Sequence, residues 1–148
     1  MDRLWITLKH NLFYVAWFQA AVAMFGSLFF SEVMKLPPCV LCWYQRIAMY
    51  PLVLILTTSI LRKDGLARIY ALPLALSGLF MAIYHNLLYY KVIPDSIKPC
   101  TSGISCTAKQ IEWFGFVTIP LLSMLAFLIV TLCLVFGKLE KSSVGEVA

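Results

Sequence analysis

An all-α membrane protein, built as a bundle of four transmembrane helices with two cysteine-bearing extracytoplasmic loops, is the fold class this sequence predicts. Three observations carry the expectation. Hydrophobic residues make up 61% of the 148, and mean hydropathy is +0.86, well above what a water-soluble chain carries. Charged residues are only 13%, about half the usual share, and they fall in short clusters. Between the clusters lie four apolar stretches long enough to cross a hydrocarbon layer: 12–30, 43–61, 69–90 and 114–136.

The first stretch rises about 28 Å as a helix, close to the hydrocarbon thickness, so it reads as a retained span and not a cleaved signal peptide. The second contains a full charge, Arg46. A short polar turn, Arg62-Lys63-Asp64-Gly65-Leu66-Ala67-Arg68, joins the second span to the third as a helical hairpin. The fourth is wholly apolar and includes Cys133. Residues 110–114, Gln-Ile-Glu-Trp-Phe, mix polar and aromatic side chains and suit the membrane surface or an aromatic belt. The whole of 1–148 reads as a single domain.

Lysine and arginine set the orientation, because short cytoplasmic loops retain them in excess. Seven lie in the tails and middle turn (Arg3, Lys9, Arg62, Lys63, Arg68, Lys138, Lys141), against four in the other two loops (Lys35, Lys91, Lys98, Lys109). Both termini are therefore expected in the cytoplasm, in a multi-pass protein of the cell membrane. Residues 31–42 and 91–113 face outward. The net charge of +5 is split among these segments and forms no continuous basic stripe, which argues against nucleic acid as a partner.

Both outward loops contain cysteines. Cys39-Val40-Leu41-Cys42 opens the second span, and Cys100 and Cys106 enclose five residues of the longer loop. On an oxidising side of the membrane two bridges are expected, Cys39–Cys42 and Cys100–Cys106. Either could simply staple its loop. Pro37-Pro38, however, blocks helix continuation upstream and seats the CxxC at a helix mouth, where free backbone N–H groups and the helix dipole favour a thiolate. Low thiol pKa makes a disulfide easily reduced, which suits redox chemistry better than a permanent staple.

Arg46, one turn beyond Cys42 on the same face, is costly inside a span and points to a functional site; snorkelling toward the interface is its bland alternative. The flexible Cys100–Cys106 segment suits attack by another protein's thiolate. Cys133 has no cysteine nearby in sequence and reads as core packing. His85, in the third span at about the depth of Arg46, could bracket a quinone ring together with it, or serve as a helix–helix hydrogen-bonding residue.

The run Cys39-Val40-Leu41-Cys42-Trp43-Tyr44-Gln45-Arg46-Ile47 at the second of four spans, the run Met49-Tyr50-Pro51-Leu52-Val53-Leu54, the compact Lys98-Pro99-Cys100 to Cys106 element and Trp113-Phe114-Gly115-Phe116 together resemble the DsbB family, in its short BdbC-like Gram-positive branch. The resemblance covers nearly the whole chain. It implies a membrane thiol:quinone oxidoreductase that reoxidises an extracytoplasmic thioredoxin-like thiol oxidase (DsbA- or BdbD-like), with menaquinone as the acceptor. It further implies that Cys100 receives the partner's thiolate, that Cys106 then attacks Cys39, and that Cys42, as the more acidic thiol, passes electrons on beside Arg46, with His85 near the quinone. The tight second pair departs from Gram-negative members and leaves little loop to swing.

Two other classes compete. A Cys₄ zinc site made of Cys39, Cys42, Cys100 and Cys106 has permissive spacing, but the oxidising compartment and the CxxC-with-Cx₅C pattern argue against it, so no metal is expected. A scaffold with two inert disulfides would show no quinone chemistry at all. Vitamin K epoxide reductase-like proteins have a related architecture but a late-helix CxxC, the reverse of the order here.

Overall fold

The computed structural model describes residues 2–63, 65–92, 112–113 and 117–137; Cys100 and Cys106 lie outside the described residues. Four helices dominate: α1 (Asp2–Leu28), α2 (Val40–Arg62), α3 (Ala67–Tyr89) and α4 (Ile119–Phe136). A π-helical turn, Phe29–Val33, prolongs α1. All four helices have membrane-crossing length and hydropathy. Two strands of two residues, β1 (Glu112–Trp113) and β2 (Val117–Thr118), pair antiparallel just before α4.

The helices touch in the cyclic order α1, α2, α3, α4 and back to α1, the closed arrangement expected of a bundle whose neighbours are joined in sequence. Its interior is narrow because α3 presents small residues at Ala71, Ala75, Gly78 and Ala82, all buried. In lipid, where apolar surface supplies little drive for association, small residues let backbones approach and gain dispersion contacts. Gly78 is the tightest point, since a Cβ there would run into the ring of Phe127 on α4. Phe13, Leu52, Leu56 and Leu134 fill the rest of the core. Large apolar side chains also cover the outside, among them Phe18, Phe25, Phe80 and Phe136; helices apolar on all faces are what a bilayer requires.

Element ends differ from the sequence expectation by a few residues, each for a local reason. The second span starts at Val40 and not at residue 43, because Cys39 acts as N-cap in extended conformation. The first extends to Val33 through the π turn. The fourth starts at Ile119 and not at residue 114, since Val117 and Thr118 are still paired as a strand, Thr118 caps the helix and Pro120 occupies its first turn. At the far end of α2, Lys63 takes a left-handed conformation (φ 51°) that terminates the helix.

Candidate redox centre

The centre begins with two prolines. Pro37 and Pro38 keep the chain extended, and Cys39 follows with ψ near 169° before the helix starts. As N-cap residue it directs its side chain back over the first turn. The Cys39 Sγ accepts the N–H of Cys42 at 3.4 Å and lies 2.9 Å from the Cys42 Sγ. The two sulfurs therefore share the mouth of α2, as the CxxC spacing predicts.

Around this pair the surroundings split. Cys39 is buried and faces α3, where the Nε2 of buried His85 stands 3.8 Å from its sulfur. Gln45 holds the other side of that imidazole, its amide nitrogen 3.3 Å from Nδ1. When Gln45 donates to Nδ1, the ring proton resides on Nε2 and points at the Cys39 sulfur. The Cys39 thiol pKa is lowered to about 4, mainly by the hydrogen bond from the Cys42 thiol and further by the hydrogen bond from His85, against the opposing effect of burial. In the dithiol state the N-cap sulfur collects the donors.

Cys42 looks the other way. It lines a cavity of about 280 Å³ walled by α1, the segment before α2, α2 and α4. Apolar groups dominate its lining, including Phe30, Met49, Leu122 and Phe127, with Gln19, Ser27, Gln45, Arg46 and Tyr50 as the main polar members. Arg46 is anchored there by neutral partners: its Nε donates to Ser27 Oγ at 2.9 Å and its Nη2 to the Ser27 carbonyl at 2.8 Å. The guanidinium also sits 5.6 Å from the centre of the Trp43 ring, within cation–π range. Because its partners are uncharged, the positive charge remains available to an anion in the cavity.

Of the residues singled out in the sequence, the structure brings Cys39, Cys42, Arg46 and His85 to one end of the bundle. It does not place Arg46 and His85 around a common space. No α3 residue lines the cavity, so His85 flanks Cys39 on one side of the CxxC and Arg46 accompanies Cys42 on the other. Cys133 lies buried in the core of α4, at 8% exposure. Three donor atoms, from Cys39, Cys42 and His85, fall within 4.8 Å of one another, a spacing that could also hold a soft cation; the four-cysteine zinc site would need Cys100 and Cys106, outside the described residues.

Ser27, Gln19 and Tyr50 escaped the sequence reading. Tyr50 had a signal, being four residues beyond Arg46 and eight beyond Cys42 on one helical stripe. Ser27 had none except its polarity within a span, since its role depends on how α1 packs on α2.

Comparison with known proteins adds the family. The family described as Disulfide bond formation protein DsbB matches residues 9–137. The chain is 47% identical over 129 residues to Disulfide bond formation protein C of Bacillus subtilis (strain 168), covering 87% of this chain and 94% of that protein. It is 47% identical over 128 residues to Probable disulfide formation protein C 2 of Bacillus anthracis, covering 86% and 90%. It is 42% identical over 126 residues to a Probable disulfide formation protein of Metapseudomonas resinovorans, covering 84% and 88%. No solved structure matches.

Proposed function

The chain belongs to the DsbB family of disulfide bond formation proteins, and from that premise we propose that this multi-pass membrane oxidoreductase takes electrons from an extracytoplasmic thioredoxin-like thiol oxidase and delivers them to a membrane quinone. The observation that carries the reading is that Cys42 and Arg46 line one apolar cavity, while Cys39, buried with Leu41 and Leu88, is turned toward His85 on α3. The protein works as a single domain in the plasma membrane, with both termini cytoplasmic and menaquinone as acceptor.

In the proposed relay the reduced partner's thiolate attacks Cys100 of the Cys100–Cys106 disulfide. Cys106, released as a thiolate, attacks Cys39 of the Cys39–Cys42 disulfide. A new bond forms at Cys39 and Cys42 leaves with the electron pair. The mixed disulfide with the partner resolves when the partner's second thiol attacks and frees Cys100; Cys100 then attacks Cys106, re-forming Cys100–Cys106 and releasing Cys39, so two electrons and two protons have passed from the partner to the Cys39/Cys42 pair.

Cys42 then lies in the cavity as a thiolate, with Arg46 holding its negative charge and the apolar walls excluding water, which strengthens that attraction. The cavity fits a quinone on two counts: apolar walls for the ring and a fixed cation. A bound quinone supplies a two-electron, two-proton acceptor dissolved in the lipid. On the other side of the turn His85 holds a proton against the Cys39 sulfur, stabilising it as a thiolate whenever the inner pair is reduced.

Purified protein in nanodiscs, mixed with a reduced thioredoxin-like oxidase and a menaquinone analogue, tests the reading through quinone absorbance. Quinone reduction that depends on both proteins and disappears in Cys42→Ser supports it. Oxidation of the partner with no quinone consumed overturns the acceptor assignment, and no partner oxidation at all leaves inert staples in its place.

A further inference from the structure

Among the described residues, one group of metal-ligating side chains comes together: the sulfurs of Cys39 and Cys42 and a ring nitrogen of His85, all within 4.8 Å of one another. A tetrahedral zinc ion, with bonds of about 2.3 Å to sulfur and about 2.0 Å to nitrogen, holds S and N about 3.5 Å apart and two sulfurs about 3.8 Å apart. Cys39 Sγ and His85 Nε2 stand 3.8 Å apart, close to that spacing. The two sulfurs, at 2.9 Å, have to part by roughly 1 Å, and Cys42 has room to move because it borders the cavity. Charge also fits, since two thiolates cancel a dication and the imidazole is neutral. Cys39 and His85 are buried, and a neutral complex is what burial tolerates. Arg46 repels a free cation in the shared cavity, a repulsion the neutral complex escapes.

Gln45 decides whether the imidazole can ligate. With its amide nitrogen toward Nδ1, at 3.3 Å, the ring proton sits on Nε2 and blocks it. Turned end for end, the amide presents its oxygen, accepts a proton from Nδ1 and bares the Nε2 lone pair, as a ligating histidine requires. We infer that the reduced CxxC, with His85 as third ligand and Gln45 behind it, binds a zinc-like dication. Binding releases the thiol protons, up to two per ion, and moves no electrons. The disulfide has no thiolate to offer, so only the reduced state takes the metal. The bound ion holds the Cys42 electron pair and closes that thiolate to any acceptor, which makes the site a metal-operated brake on the reduced enzyme. Binding itself stands apart from the quinone reading; only the brake on quinone reduction rests on it.

The experiment uses the untagged full chain carrying Cys100→Ala and Cys106→Ala, so that the inner pair is the only reducible one, in nanodiscs, reduced and desalted without oxygen or quinone. Cd²⁺ titration reads thiolate ligation by its ultraviolet charge-transfer band, and competition with a chromophoric chelator gives the Zn²⁺ affinity. One Cd²⁺ per reduced chain is expected, and none on the oxidised chain. His85→Ala is expected to weaken Zn²⁺ binding at least tenfold. Gln45→Leu removes the oxygen behind the ring and should cost roughly ten- to hundredfold, whereas Gln45→Glu, whose carboxylate can only accept, should bind more tightly than wild type. Absence of the band overturns the site. Equal affinity in His85→Ala leaves the bare CxxC as chelator, and Gln45→Glu binding no tighter than Gln45→Leu removes Gln45 from it; this second comparison decides even if His85→Ala does not fold. In the chain with all its cysteines, Zn²⁺ should stop quinone reduction by the reduced protein and a chelator should restore it. Metal binding as described, with no quinone reduced by the metal-free dithiol, sinks the quinone reading and leaves the metal site standing.

Discussion

The two sulfurs of one CxxC turn, three residues apart, live in different environments. Cys39 is closed in by protein, with an imidazole and an amide behind it. Cys42 opens onto an apolar chamber next to a guanidinium. A helix N-terminus makes this asymmetry almost automatically: the N-cap side chain folds back over the first turn, whereas the residue three positions on projects along the helix flank. A single redox motif can thereby join two solvents. One thiol is managed by hydrogen bonds for exchange with another protein-borne sulfur, and the other by a fixed charge for transfer into the lipid phase.

Removing each sulfur in turn tests this asymmetry most severely. Cys42→Ser is expected to abolish quinone reduction yet leave the unpaired Cys39 thiolate able to attack Cys106 of the Cys100–Cys106 disulfide, releasing Cys100 as a thiolate, so a Cys39–Cys106 bridge accumulates. Cys39→Ser is expected to abolish turnover without that bridge. Non-reducing peptide mapping separates the two. Equal trapping at both cysteines would mean that the sides are interchangeable.

Arg46→Ala comes next. Loss of a hydrogen-bonding cation from a water-poor cavity should lower quinone reduction roughly ten- to hundredfold, with oxidation of the partner by the preformed disulfides unchanged in a single turnover. Arg46→Lys should recover part of the loss, limited because an ammonium cannot reproduce the paired bonds to the Ser27 hydroxyl and carbonyl. If partner oxidation falls in parallel, the charge serves both thiols and the division fails.

His85→Ala probes the opposite wall. His85 lowers the Cys39 pKa through its hydrogen bond, so its removal moves that pKa upward from about 4. Since a thiolate exists above its pKa and is lost as pH falls through it, the variant's thiolate should disappear at higher pH than that of wild type. Ultraviolet thiolate absorbance of the reduced protein, titrated downward, reads this directly. An unshifted titration would leave His85 as a helix–helix contact only.

These contrasts also mark what sequence could disclose. Cys39, Cys42 and Arg46 were legible because their relation is local: prolines before a CxxC dictate a helix mouth, and a spacing of four puts the arginine on the same flank. His85 was legible as a polar residue at the right depth, but which thiol it serves was not. That depends on the rotation of α3 against α2, set by the small-residue stripe from Ala71 to Ala82. Ser27 acquires meaning only when α1 packs on α2 and closes the cavity. The four spans were readable from hydropathy, whereas the start of α4 was obscured because the residues before it are as apolar as the helix and only Thr118, Pro120 and the strand pairing end the ambiguity.

The smallest expected effect tests whether the arginine acts by its charge or by its docking. Ser27 offers Arg46 two acceptors, and substitution by alanine removes only the hydroxyl, leaving the carbonyl that receives Nη2 at 2.8 Å. The guanidinium should stay seated, so Ser27→Ala is expected to slow quinone reduction only about two- to fivefold, within the net worth of one hydrogen bond. A loss as large as that of Arg46→Ala would show that the position of the cation, fixed by both bonds, matters as much as its presence. The lipid-facing half of the turn would then be as finely hydrogen-bonded as the half that faces His85.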